Sequence, residues 1–336
     1  MMVIGGTYKI EEPKIRKLSP KFMSDLTSQE GILHSVLEQV KKDHTLMLAI
    51  RKNYFNIYYR GGNILKVTEH SKKYGTYFDK NYNLSEKEIP NSPVAITSQS
   101  DSQKWVDSFG LRKNMMDGYF SKHGKAEREF QQLVARENTN STISKSCEYY
   151  ITDIEVTDPG LARFDIMAIR WLTKDRKNGK CRAALFEMKY SDGALGGKAG
   201  LLKHLKDMET FINDKNRYKK LLETMVSQFN QLDQLGLLNF NKGTTNAKVK
   251  LDPNDRPEVI FILANHNPRS TKLKTILDDQ EIKQYGKSEL FDLRFYVASF
   301  AGYGLHADCM HTLAEFRKFC EVSKKKEMIL CGKLTT

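Results

Sequence analysis

The first part of the chain combines helical and strand-like hydrophobic patterns. Apolar residues recur every three or four positions across Ser28–Lys42, which predicts an amphipathic helix that Ser28 caps. Two apolar runs, Leu46–Ile50 and Tyr54–Tyr59, lead through a Gly-Gly turn into a third run at Ile64–Val67, a pattern typical of antiparallel strands. The polar residues 71–104 indicate a connector or an irregular lobe.

The rest of the chain alternates between helical patterns and longer, more apolar strand patterns. Residues Lys125–Asn138 place their apolar side chains on one helical face. Strand-like runs follow at Glu148–Val156, Leu161–Trp171 and Cys181–Tyr190, and the last two form a hairpin around a polar loop. Val259–Ala264 is apolar throughout, which is typical of a strand covered on both faces.

These patterns predict an α/β fold. The 336 residues are enough for two domains. We expect a mixed central sheet flanked by helices within residues 119–336, behind an N-terminal α+β lobe that spans residues 1–118.

Two acids and a lysine lie within the two apolar strands of the central hairpin. Asp165 lies in the first strand, and Glu187 and Lys189 lie in the second. A buried charge costs several kcal/mol, by rough estimate, unless it is paired or bound to a metal. Because alternate side chains of a strand share a face, Glu187 and Lys189 point the same way, and Asp165 on the neighbouring strand can lie beside them.

This arrangement suits a hard cation. Two carboxylates that converge are stabilised by a cation between them, and oxygen ligands favour Mg²⁺ or Mn²⁺. Such a cation lowers the pKa of a bound water and neutralises charge on a phosphodiester, while Lys189 would orient or activate the water. The alternative is a hairpin with edge-exposed acids and an ion pair of the Arg163–Glu187 type.

The order of these elements resembles the PD-(D/E)xK nuclease superfamily over residues 125–300. The shared order is a helix with Glu, a strand, a strand with Asp165, a strand with Glu187-x-Lys189, a helix and a strand. The resemblance implies a restriction-endonuclease-like core in which Asp165 and Glu187 bind the metal and Lys189 assists the water. The chain departs from the name-giving pattern because Phe164, and not Pro, precedes the aspartate.

The resemblance also implies two further positions. A glutamate of the preceding helix would complete or tune the metal site, and Glu127 is the first choice, with Glu129 the second, because both border the apolar face. Some members carry a glutamine on the following helix, for which Gln228 is the candidate, although the usual tyrosine four residues on is replaced by Leu232.

A basic segment after the hairpin supplies candidates for nucleic-acid contacts. The Gly-rich stretch from Gly193 to Gly200 lacks the spacing of a Walker phosphate loop. We expect it instead to form a basic loop beside the site, where Lys198, Lys203 and His204 contact nucleic-acid phosphates.

The charge of the chain favours a polyanionic partner. Its 54 Lys and Arg residues against 41 Asp and Glu residues give a formal net charge of +13, which attracts nucleic acid through long-range forces and counterion release. In the N-terminal lobe, Tyr54, Tyr58 and Tyr59 lie among basic residues. They could stack bases or belong to a sheet with one wet face.

The cysteines and the N-terminus bear on the compartment. The five cysteines are dispersed without a Cys-x-x-Cys pair, which suits a reducing cytoplasm. The segment Met1–Gly6 lacks the basic start of a signal peptide, and no run of about 18 apolar residues is long enough to span a bilayer.

Taken as a whole, the sequence predicts a cytoplasmic, Mg²⁺-dependent nuclease that cleaves nucleic acid, with DNA favoured over RNA and Mn²⁺ able to substitute. The resemblance links such enzymes in bacteria to restriction or phage defence. The N-terminal lobe would bind substrate, a protein partner or a second copy of the chain. The alternatives are a non-cleaving nucleic-acid-binding or assembly subunit with a nuclease-like fold, and an interaction scaffold.

Overall fold

A computed structural model shows a mixed α/β protein with two β-sheets. The structure describes residues 15–84, 92–158, 162–197, 200–240, 248–266, 270–297 and 302–321. No helix within these ranges is long and apolar enough to cross a bilayer.

The N-terminal lobe is a five-stranded antiparallel sheet with four helices. The strands, in spatial order, are β1 (Leu46–Ile50), β2 (Tyr54–Tyr59), β3 (Gly62–Glu69), β4 (Tyr74–Tyr77) and β5 (Ala95–Ile96). The helices are α1 (Pro20–Thr27), α2 (His34–Lys42), α3 (Gln99–Asp107) and α4 (Phe109–Lys122). The predicted lobe of helices and antiparallel strands is therefore confirmed within the described residues.

Two local predictions for this lobe are wrong. Ser28 does not cap the predicted helix, because its backbone N–H donates to Ser24 O and closes α1. The chain then reverses around Gly31, where a Cβ would lie 2.3 Å from Asp25 O, so α2 begins only at His34. Residues 71–104 are also more regular than predicted, since they contain β4, β5 and the start of α3, whose short apolar signals are masked by polar neighbours.

The second sheet is mixed and has six strands. They are β6 (Tyr149–Asp158), β7 (Ala162–Arg170), β8 (Arg182–Tyr190), β9 (Glu258–Ala264), β10 (Asp292–Tyr296) and β11 (Met310–Thr312). The spatial order runs from β11 through to β6. Strands β6, β7 and β8 are antiparallel, β8, β9 and β10 are parallel, and β11 is antiparallel to β10.

Helices cover both faces of this second sheet. They are α5 (Ala126–Glu137), α6 (Leu201–Asn213), α7 (Lys215–Gln234), α8 (Thr271–Asp278), α9 (Gln280–Lys283) and α10 (residues 313–321). Helix α5 packs through Val134 on the face that carries Ile166 and Phe186. Helices α6 and α7 cover the opposite face, where Phe164 and Phe211 meet edge to face at 5.0 Å. The predicted mixed sheet flanked by helices is confirmed at this level of detail.

The two lobes share one apolar core and several polar contacts. On α7, Gln228 donates to Ile50 O at 2.8 Å, and Gln231 bonds both backbone groups of Leu18 at 2.9 Å. The β2–β3 turn contacts α5 through Gly61, whose N–H donates to Gln132 Oε1 at 2.7 Å. The proposed division between residues 118 and 119 falls inside helix α4.

Candidate active site

The site lies where strands β7 and β8 separate. Their pairing runs from Arg170–Arg182 to Ile166–Phe186, after which β7 continues with β6 and β8 continues with β9. At this fork Asp165 Oδ2 accepts a hydrogen bond from the backbone N–H of Met188 at 2.8 Å. The carboxylate thus accepts the Met188 N–H on the side where β8 no longer pairs with β7.

Glu187 and Lys189 lie on one face of β8, as their spacing predicts. Lys189 Nζ donates to Glu187 Oε1 at 2.6 Å, and His204 Nε2 of α6 lies 3.0 Å from the same oxygen. Phe186 and Met188 point into the core on the other face. Glu187 Oε2 is buried and has no hydrogen-bond partner within the described part of the chain.

The fork raises the pKa of both acids. Burial raises the pKa of Glu187 to about 8, with a further rise from the charge of Asp165 and an opposing effect from Lys189. Burial also raises the pKa of Asp165 to about 6, against the lowering effect of the Met188 N–H. A bound cation would reverse these shifts, because it favours the ionised form of each carboxylate.

The structure separates the two candidate glutamates of α5, Glu127 and Glu129, by their positions. Glu127 is half-buried in the first turn of α5, and its charge contributes to the raised pKa of both Asp165 and Glu187. Glu129 points to the N-terminal lobe instead, where it forms an ion pair with Arg60 in the β2–β3 turn. The structure therefore brings Glu127, and not Glu129, to the fork.

A further acid, Glu155 of β6, joins the site without having been singled out in the sequence. Its Oε2 accepts from Arg163 at 2.6 Å and lies 3.5 Å from Arg128. Its charge also raises the pKa of Asp165. The signal that could have found it is an acid inside an apolar strand, which is the same signal that marks Asp165.

The alternative ion pair predicted for the hairpin takes another form. Arg163 pairs with Glu155 and lies 3.8 Å from Asp165 Oδ1, whereas Glu187 pairs with Lys189. Asp165 and Glu187 are only 3% and 2% exposed. They are therefore buried acids rather than acids at an exposed edge.

The four residues predicted to contact nucleic acid differ in their positions. Lys203 is exposed on α6 and pairs with Asp207, while His204 contacts Glu187 within the fork. Gln228 is fully buried and donates to Asp153 Oδ2 at 2.7 Å, so its position argues against direct contact with nucleic acid. Lys198 lies outside the described residues.

The donor set fits a cation that keeps much of its own hydration. Mg²⁺ is commonly bound through one or two carboxylates together with water and substrate phosphates. Asp165 and Glu187 offer two carboxylates, and one of them has a buried oxygen for which the described ranges contain no hydrogen-bond partner. Over the ranges that the structure describes, no group of three or more His, Cys, Asp and Glu side chains is arranged to hold a metal ion, so the fork is not a closed metal cage.

Comparison with known proteins assigns neither a family nor a function to the chain. The chain matches no protein-family model, no curated protein and no solved structure. The geometry of the fork and the charge around it are therefore the basis for inferring a function.

Proposed function

We propose that this chain is a metal-dependent nuclease that hydrolyses phosphodiester bonds in nucleic acid, with DNA the favoured substrate. The observation that carries the proposal is the fork itself, where Asp165, Glu187 and Lys189 meet at the divergence of two buried strands. The order of the elements around the fork supports a restriction-endonuclease-like core of PD-(D/E)xK type.

In this proposal Asp165 and Glu187 hold Mg²⁺ or Mn²⁺. When bound, the cation would supply an activated water and offset the charge of the phosphodiester. Lys189 donates to Glu187 within the fork. From this position its ammonium group can orient the water or stabilise developing negative charge. Glu127 adds negative charge at the start of α5 and so strengthens the attraction for a cation.

Features outside the fork support a nucleic-acid substrate. The net charge of +13 favours polyanions, and Lys203 lies exposed one residue before His204 on α6. In the N-terminal lobe Lys66 Nζ lies 4.2 Å from the ring centroid of Tyr54. This basic and aromatic surface is proposed to contact substrate, a protein partner or a second copy of the chain, and the enzyme is proposed to act in the cytoplasm.

A cleavage assay tests the proposal. The purified chain is incubated with plasmid, linear duplex, single-stranded DNA and RNA, each with Mg²⁺, Mn²⁺ or EDTA. We expect metal-dependent cleavage that falls by roughly 10²- to 10⁴-fold in Lys189→Ala, because the lysine acts on the reacting water. Asp165→Ala should be at least as impaired, since it removes a proposed metal ligand.

The matched control is Lys104→Ala on α3, an exposed lysine that pairs with Asp101. It should cleave like the parent chain. The proposal is wrong if the parent cleaves none of these substrates with either cation, or if Lys189→Ala and Asp165→Ala cleave as well as the control.

The second candidate is a non-cleaving nucleic-acid-binding or assembly subunit. It is favoured by the closed pairing of Glu187 Oε1 with both Lys189 and His204, which resembles a satisfied structural ion pair. Binding that persists without cleavage and weakens as salt is raised would support this candidate.

A further inference from the structure

The backbone of β6 is unusual at the residue that faces the fork. Glu155 has φ of 52°, in the left-handed region that residues with a side chain rarely adopt. Ile154 and Val156 belong to opposite cores of the sheet, although residues two apart in a regular strand share a face. The left-handed residue therefore interrupts the alternation of the strand beside the site.

The register of β6 and β7 sets Glu155 against Asp165. The strand partners of Ile154 and Val156 are Ile166 and Phe164, and Asp165 lies between those two partners. The electrostatic effect of Glu155 on Asp165 agrees with this placement.

Two arginines converge on Glu155 from different elements. Arg163 of β7 donates to Oε2 at 2.6 Å, and Arg128 of α5 lies 3.5 Å from the same oxygen. Both side chains remain 46% and 43% exposed, whereas the Glu155 side chain is 17% exposed. One carboxylate thus orients two guanidinium groups that still face solvent at the rim of the fork.

The N-terminal lobe fixes one of these arginines in place. At Gly61 in the β2–β3 turn a Cβ would lie 2.5 Å from Arg128 Cβ, so the turn approaches the α5 backbone as closely as glycine allows. The Gly61 N–H bond to Gln132 holds the same contact one turn further along α5. The position of Arg128 beside the fork is therefore set by both lobes.

We propose that Arg128 and Arg163 form a phosphate clamp that binds the sugar-phosphate backbone of nucleic acid next to the fork, with Glu155 as their positioning residue. Guanidinium groups are suited to this role because their planar donors match phosphate oxygens in pairs. The two arginines share the single carboxylate of Glu155, and although Arg163 also lies 3.8 Å from Asp165 Oδ1, both guanidinium groups keep donors exposed at the rim. The clamp would be a substrate contact of the proposed nuclease, and the inference rests on that proposed function. Binding of nucleic acid to the clamp can nevertheless be measured without cleavage.

Binding of a short labelled DNA duplex and of its single strand is measured by fluorescence anisotropy in EDTA over a series of salt concentrations. We expect Arg128→Gln and Arg163→Gln each to weaken binding about tenfold at low salt, as for a lost charged hydrogen bond. Each should also reduce the slope of log K against log salt by about 0.9, and the double variant by about twice that, since each loses one phosphate contact.

Two further variants separate a clamp from a structural ion pair. Arg256→Gln is the matched control, because Arg256 is 47% exposed and pairs with Asp292 beside the start of β9, away from the fork. It should keep the slope of the parent chain. Glu155→Gln should also keep the slope and bind at least as tightly, because the amide oxygen of Gln can still accept from both arginines and hold them in place while a negative charge is removed.

The clamp is ruled out if the double arginine variant keeps the parent slope, or if Glu155→Gln weakens binding as much as Arg163→Gln. Thermal unfolding of every variant checks that the chain is folded. A chain that binds through the arginines but never cleaves would overturn the proposed nuclease and leave the clamp standing. A chain that cleaves, with arginine variants that bind normally, would overturn the clamp and leave the proposed nuclease standing.

Discussion

The second sheet contains two buried acid centres that differ in how fully their oxygens are bonded. At the first, Asp153 is fully buried and both its oxygens are bonded, Oδ1 by Arg51 and the Ile154 N–H, Oδ2 by Gln228 at 2.7 Å and Arg16 at 3.1 Å.

At the second centre, the fork, Glu187 keeps a buried oxygen without a partner in the described residues, and the pKa values of Asp165 and Glu187 are raised. A buried polar group that is fully paired has its desolvation offset, whereas one that is half paired costs free energy, and a functional role is one explanation for that cost. The contrast suits a structural role for the first centre, and it supports the proposal that the second centre binds a cation.

The largest expected effect comes from making the same substitution at both centres. Asp153→Asn removes the charge that neutralises the buried Arg51, so we expect a loss of about 3–5 kcal/mol in the free energy of unfolding. Asp165→Asn should leave that free energy unchanged or raised at neutral pH, because its amide oxygen can still accept from Met188. Urea unfolding of the two variants measures the difference, and equal losses would remove the distinction between the centres.

The pH dependence of the free energy of unfolding should further distinguish the fork from the Asp153 centre. The folded-state pKa values of about 6 for Asp165 and about 8 for Glu187 lie above their ordinary values of 3.8 and 4.5. At the fork the folded chain therefore holds more protons than the unfolded chain between these values, so the contribution of the fork to stability is fully present below the ordinary pKa values and is lost as pH rises through the folded-state values. The slope is at most about 1.4 kcal/mol per pH unit for each group.

Urea unfolding at a series of pH values checks this, with the double variant Asp165→Asn, Glu187→Gln as the reference. The double variant should lack the part of the slope that belongs to the fork, and Mg²⁺ should offset the loss in the parent chain, because only ionised carboxylates bind it. Identical pH profiles for the two chains would show that the fork does not hold the extra protons.

The smallest effect concerns the two glutamates of α5. Glu129→Gln removes a partly exposed ion pair with Arg60, so we expect a change of less than about 1 kcal/mol in the free energy of unfolding and an unchanged affinity for Mn²⁺. Glu127→Gln should weaken Mn²⁺ binding, measured by calorimetry, because its charge acts on both acids of the fork. If Glu129→Gln weakens Mn²⁺ binding as much as Glu127→Gln, the assignment of the helix acid is wrong.

Local patterns in the sequence were sufficient for the hairpin and its charged face. The apolar runs of β7 and β8 and the spacing of Glu187 and Lys189 depend on neighbours in the chain, and the structure agrees with both. Periodicity likewise predicts the helix α5, and an unbroken apolar run predicts the strand β9.

Features set by distant contacts could not be predicted in the same way. Glu127 and Glu129 border the same helical face, and only the contact of Glu129 with Arg60, 69 residues away, separates them. Glu155 lies opposite Asp165 through the register of β6 and β7 and has a left-handed backbone angle, and neither feature is evident from its residue type. Gln228 has a helical position that suggests a site residue, but its partners come from β1 and β6.

The bonds of Asp153 also have a consequence for the order of folding. They join residues separated by 137, 102 and 75 positions, whereas the bond between Asp165 and Met188 spans 23. Because closing a long loop costs more chain entropy, short-range contacts tend to form first. We expect the β7–β8 hairpin to assemble early, and Asp153 to find its partners late, after α7 has docked, so that the bonds of Asp153 join the two lobes near the end of folding.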